Sequence, residues 1–229
     1  MSEVRGSLAL IGGGEWRPGC TFDADLLAAS GTEEVLVIPT AGAYAQPERL
    51  VAQAAEWFGP MGARVEGLMV VARNDAQDEV MATIVRRARF LYLAGESSLH
   101  LVSVMKNSVV WAAVEAAWQA GATLAASGGA AMAVTDPMID ARGGGLTLGL
   151  GLVSGFAVMP NFGDNEADPH GDKIRRTTKL APPNHAVVGL PASTALIGEP
   201  SGWRVAGAHP EAVGIFLAGE RTDDLSLLP

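Results

Sequence analysis

The chain has 229 residues, of which 48% are apolar, enough to bury a full core, and its length favours one domain spanning residues 1–229. A net charge of −9 with no basic block excludes a nucleic-acid surface or an anionic membrane face, since either needs clustered Lys and Arg. The expected partners are therefore a small-molecule or peptide ligand, a protein, or further copies of the chain. One cysteine, Cys20, excludes an internal disulfide and fits a reducing compartment.

The N-terminal stretch "MSEVRGSLALIGGGEW" has an apolar run too brief for a signal peptide, and no later stretch approaches a membrane span, so a cytoplasmic location is expected. "SLALI" predicts a first strand and "EVLVIPT" a second. Between the second and third strands, Leu50, Val51, Ala54, Trp57 and Phe58 fall on one helical face. "RVEGLMVV" predicts a third strand, and Val80, Met81, Ile84 and Val85 form a second helical face ahead of the strands "RFLYLAG" and "ATLAAS". This alternation is the rhythm of βαβ units around a mainly parallel sheet. Beyond residue 140 glycines break up the apolar pairs, a polar loop follows, and the tail reads as hairpins added to an edge. The fold class is α/β: a three-layer sandwich with a mainly parallel central sheet and added C-terminal β-hairpins.

Three stretches offer chemistry. "LIGGGEW" presents backbone N–H groups at Gly12, Gly13 and Gly14, but it lacks the spacing of a dinucleotide loop and reads better as a turn lining a cleft. His100, His170, His185 and His209 show no paired ligand spacing, and "DNEADPHGD" does not match a calcium loop, so no metal and no cofactor are expected. "LAASGGAAM" is a buried strand running through small residues into a helix, the setting of a nucleophile elbow. Ser127 with Ala125 and Gly129 about it would fit such an elbow. A close-packed strand-to-helix junction fits equally well.

The segments "LIGGGEW", "VLVIPTAGA", "FLYLAGESSLHL", "LAASGGAAM" and "VMPNF" resemble, in order and almost end to end, the serine peptidase family of dipeptidase E and cyanophycinase. That resemblance implies a fold akin to class I glutamine amidotransferases. Family members carry motifs like "GGSPLHL", "AGSSAGAM" and "VMPHFD", which supply an oxyanion-loop glycine, the nucleophilic serine and its histidine base. Read without gaps, this chain has Glu96 in place of that glycine, after Gly95. Gly128 stands in place of the serine and Asn161 in place of the histidine.

Glycine cannot attack a carbonyl, and the asparagine amide cannot accept the proton. A carboxylate at position 96 would oppose a developing oxyanion. The expectation is a member that is non-catalytic as a serine peptidase, with Gly128 at the turn apex at positive φ and Ser127 facing away from the cleft. The cleft, lined by Gly12 to Gly14 and Gly95, would serve binding or assembly. The alternatives are a hydrolase using Ser127 with His170 as base, or one using Glu96 as acid or base near Asn161. An orienting acid is not assigned, since neither Asp136 nor Asp140 maps onto the family pattern.

Overall fold

The computed structural model of the protein describes residues 6–164, 166 and 171–229. Five short runs of branched, aromatic and small apolar residues form the parallel strands β1 (Leu8–Ile11), β2 (Glu34–Ile38), β3 (Arg64–Gly67), β4 (Phe90–Leu93) and β5 (Thr123–Ser127). Two antiparallel strands, Thr194–Glu199 and Gly202–Gly207, complete a seven-stranded sheet. Its order is 202–207, 194–199, β1, β5, β4, β2, β3. The first tail hairpin thus lies beside β1, where it extends the sheet in the antiparallel sense.

Because successive side chains on a strand point to opposite faces, each strand feeds two cores. Leu8, Leu10, Leu36, Ile38, Leu91 and Leu93 face one layer, whereas Ala9, Ile11, Val35, Val37, Phe90 and Tyr92 face the other. The second layer holds helices α1 (Phe22–Ser30) and α2 (Pro47–Phe58). The first holds α3 (Glu79–Arg87), α4 (Ser98–Met105), α5 (Val109–Gln119) and the short α6 (Gly129–Ala133). Helix α7 (Asp172–Leu180) follows the polar loop.

The remaining strands do not simply extend an edge. Phe156–Pro160, Ala186–Leu190, Gly214–Leu217 and Glu220–Thr222 form a separate four-stranded sheet, and Phe156, Val158, Val188 and Ile215 from it join the first core. The first two of these strands run parallel.

Two sequence expectations need correction. The strand in "RVEGLMVV" ends at Gly67, where a Cβ would come within 2.7 Å of the Val51 side chain, so the absence of a side chain lets α2 and the edge strand approach closely. On α3, Ala82 and Val85 are buried and Met81 and Ile84 pack against the core, but Val80 is 70% exposed. Val80 sits in the first turn, where its N–H is capped by the Asp78 carboxylate, and the helix turns that position to solvent. Among the described residues no helix is long and apolar enough to cross a membrane.

Candidate functional site

Strand β5 ends at Ser127, and the chain turns at once into α6 through Gly128, whose φ of 59° and ψ of −124° suit glycine and strain any other residue. The turn is held by the Gly128 N–H on the Ile11 carbonyl (3.0 Å) and the Met132 N–H on the Gly128 carbonyl (3.2 Å). The loop after β4 lies across it. Ala130 N–H donates to the Gly95 carbonyl (3.1 Å), and Ser97 N–H to the Ala41 carbonyl (2.9 Å). Gly95 has φ 117°, and a Cβ there would approach Gly42 Cα to 2.7 Å, so only glycine lets these loops meet.

Glu96 follows directly. Its carboxyl group fills the space that a side chain at position 128 would need: a Cβ on Gly128 would fall 2.9 Å from Glu96 Cδ and Oε2, and closer still to Oε1. The Gly129 backbone amide lies near enough to this carboxyl to favour its charged form. In an elbow the amide after the nucleophile faces the developing oxyanion; here the Glu96 carboxyl stands beside it. Burial of the carboxyl raises its pKa, the neighbouring Glu15 raises it further, and the Gly129 amide offsets part of the shift. The residue as a whole still counts as exposed, and it lines the cleft.

Ser127 is fully buried. Strand alternation turns it toward the α1/α2 layer with Ala125, and its Oγ donates to Glu15 Oε2 at 2.7 Å. It is therefore sealed beneath the cleft floor, bonded to a residue that lines the cleft. Among the described residues no imidazole bonds to it. His100 Nε2 lies 2.9 Å from the Val71 carbonyl, His185 pairs with Asn184, and His170 lies outside the described residues.

Asn161 adopts φ 53°, a left-handed conformation that asparagine tolerates better than most residues, and its N–H donates to the Gly12 carbonyl (2.8 Å). Its amide lies over Gly13, where a Cβ would meet Oδ1 at 2.8 Å. Gly12 is packed against the backbone of Leu190 and Pro191. Of the three glycines in the turn, only Gly14 lines the cleft beside Glu15. The other two hold the turn from behind, a correction to the reading of all three as lining.

The cleft has a volume of about 800 Å³. Glu96 and Gly95 form one side, the chain Gly14 to Pro18 another, and Trp57, Glu56 and Leu50 of α2 a third. Asp136 and Asp140 serve local structure: Asp136 accepts the Gly149 N–H, and Asp140 is bidentate with Arg142. Among the described residues no group of three or more His, Cys, Asp or Glu is placed to hold a metal ion.

Sequence reasoning missed what lies behind the cleft wall. Asp23, at the start of α1, is fully buried, with Oδ2 accepting from Trp57 Nε1 at 2.9 Å and Oδ1 without a partner among the described residues. Burial pushes its pKa up to about 8, the Trp57 hydrogen bond opposes the shift, and Glu15 adds to it. The Tyr92 hydroxyl and Trp16 Nε1 are likewise buried without a partner among the described residues, and the two rings lie 5.1 Å apart. In sequence Asp23 looks like an ordinary acidic residue in a first helical turn, which belongs on the surface.

A mainly parallel sheet flanked by helices, with a strand, a glycine elbow and a short helix beside a cleft, defines an α/β protein on a scaffold of the serine-hydrolase type. Residues 8–204 match peptidase family S51, and the chain belongs to that family. No functionally curated protein matches the sequence. A crystallised peptidase from an acI-B1 Actinobacterium shares the fold, with a TM-score of 0.84, 23% identity, and coverage of 97% of this chain and 95% of that one. A protein from Listeria monocytogenes EGD-e, named for peptidase E, superposes with a TM-score of 0.68 at 15% identity, covering 89% of this chain and 98% of its own.

Proposed function

We propose that this member of peptidase family S51 has lost serine-peptidase chemistry and uses its cleft to bind a small-molecule or peptide ligand in the cytoplasm. One observation carries the reading: the Glu96 carboxyl occupies the space above Gly128, so the nucleophile's seat is filled from within. Asn161, where the resemblance places a base, has no nitrogen able to accept the serine proton. Three losses at three separate motifs remove nucleophile, base and oxyanion site together.

A second reading rests on the Ser127 to Glu15 hydrogen bond, which resembles a nucleophile paired with a carboxylate base. Burial of Ser127 weighs against it, since a substrate carbonyl must come within about 3 Å of the attacking oxygen. The test is hydrolysis of aspartyl dipeptides and small amides by purified protein. The expected result is no turnover above background, and no change in any residual rate on Ser127→Ala. Turnover lost in folded Ser127→Ala protein would establish the second reading.

A further inference from the structure

A hydrogen bond joins the cleft wall to a buried acid behind it. Trp57, half-buried on α2, lines the cleft, and its Nε1 donates at 2.9 Å to Oδ2 of Asp23 on α1, 34 residues away in sequence. Asp23 is 0% exposed, and its Oδ1 has no partner among the described residues. Glu15, on another side of the same cleft, acts on Asp23 by its charge. Two further titratable groups interact with Asp23: Cys20, ahead of α1, and Tyr92 on β4. Burial raises the pKa of both above their ordinary values, so both are neutral near neutral pH. No ion pair among the described residues includes Asp23. The charge that Asp23 meets is therefore Glu15, which has the sign of its own anion.

We propose that Asp23 is a proton-dependent latch on the cleft: its neutral carboxyl holds the Trp57 indole in the wall, and ionisation frees the indole and opens the cleft on its α2 side. Opposing effects decide the direction. An ionised acceptor makes the Trp57 hydrogen bond about twice as strong, and the N-terminus of α1 favours the anion. Against these stand lost hydration at a fully buried site, an oxygen without a donor, and repulsion by Glu15. The second set prevails, and the carboxyl stays neutral up to about pH 8. Once charged, Asp23 relieves its burial by admitting water, and the residue that joins it to the open cleft is Trp57. The bound proton thus keeps the wall in place below that pH, and its loss at higher pH loosens the wall. The proposal rests on the proposed function only in taking the cleft as the ligand site. Its readout is the Trp57 indole, which needs no ligand and no turnover, so its failure leaves that reading standing.

The test is fluorine NMR of protein labelled with fluorotryptophan, the Trp57 signal being identified by its absence in Trp57→Phe. Acrylamide quenching of tryptophan fluorescence, compared between wild type and Trp57→Phe, reports the opening itself. As pH rises from about 6 to about 9.5, the Trp57 signal is expected to shift with a midpoint at about 8, and quenching of Trp57 to rise about twofold. Asp23→Asn keeps an acceptor for Trp57 but cannot ionise, and it should leave both readouts flat. Glu15→Gln removes the like charge and should move the midpoint to lower pH. Circular dichroism across the range separates local opening from unfolding. A Trp57 signal that does not change in wild type, a transition that persists in Asp23→Asn, or loss of circular dichroism in step with the Trp57 signal would overturn the proposal. So would a midpoint unmoved in Glu15→Gln, which keeps the test decisive if Asp23→Asn fails to fold.

Discussion

If Glu96 fills the space above the elbow, substitutions at 96 and 128 must be energetically coupled. Gly128→Ala places a methyl group on a backbone at φ 59° and ψ −124°, which costs about 1–3 kcal/mol whatever surrounds it. The same methyl meets Glu96 Cδ at 2.9 Å, an overpacking that adds about 1–3 kcal/mol. Glu96→Ala alone removes a carboxyl near the Gly129 amide, at a cost of at most about 1 kcal/mol. In the double variant the conformational cost stays and the overpacking disappears. The pair should therefore be less destabilised than the sum of the single variants by about 1–3 kcal/mol. Urea denaturation of the four proteins at pH 7, with slopes checked for constancy, gives this coupling directly. Additivity within about 0.5 kcal/mol would show that the Glu96 side chain moves aside freely and that the seat is open.

Other outcomes follow from the same contacts. Asp23, with its pKa raised from 3.8 to about 8, binds its proton more tightly when folded, so its contribution to stability is full below pH 4 and is lost as pH rises through 8. At about 1.4 kcal/mol per pH unit, wild type should lose about 3 kcal/mol relative to Asp23→Asn between pH 5 and 7, a relative drop in melting temperature of about 6–12 °C; parallel melting curves would refute the buried, neutral Asp23. Trp57→Phe removes the one donor to Asp23 Oδ2 and should cost about 1–3 kcal/mol at pH 6 in thermal melts, with Asp23→Asn changing that cost in the double variant. Val80→Lys, at a position whose periodicity reads as core, should shift stability by less than about 0.5 kcal/mol in urea.

Much of the scaffold was legible in the sequence because its signals are local. Branched residues in runs of four or five, separated by helical faces such as that of Ala54 and Phe58, leave little choice but a parallel α/β sheet. The elbow was legible too, since "SGGA" between a strand and a helix needs glycine at one position and the family motif says which. The contacts that decide the site's chemistry were not legible. Ser127 and Glu15 are 112 residues apart in sequence, and their pairing depends on the register between β1 and β5, in which Ile11 stands opposite Ser127. Glu15 itself, directly after three glycines, was the available signal. Asp23 gave none: its burial comes from Trp57 reaching across from α2, a tertiary contact that no local pattern announces.

On the proposed function, Ser127 is not an active nucleophile. A fluorophosphonate, which phosphonylates activated serines with loss of fluoride, tests it without knowledge of any substrate. Incubation at neutral pH followed by peptide mass spectrometry should find Ser127 unmodified in native protein, with Oγ held on Glu15 beneath the cleft floor. Stoichiometric, folding-dependent phosphonylation of Ser127 would contradict the account and make this cleft a working active site.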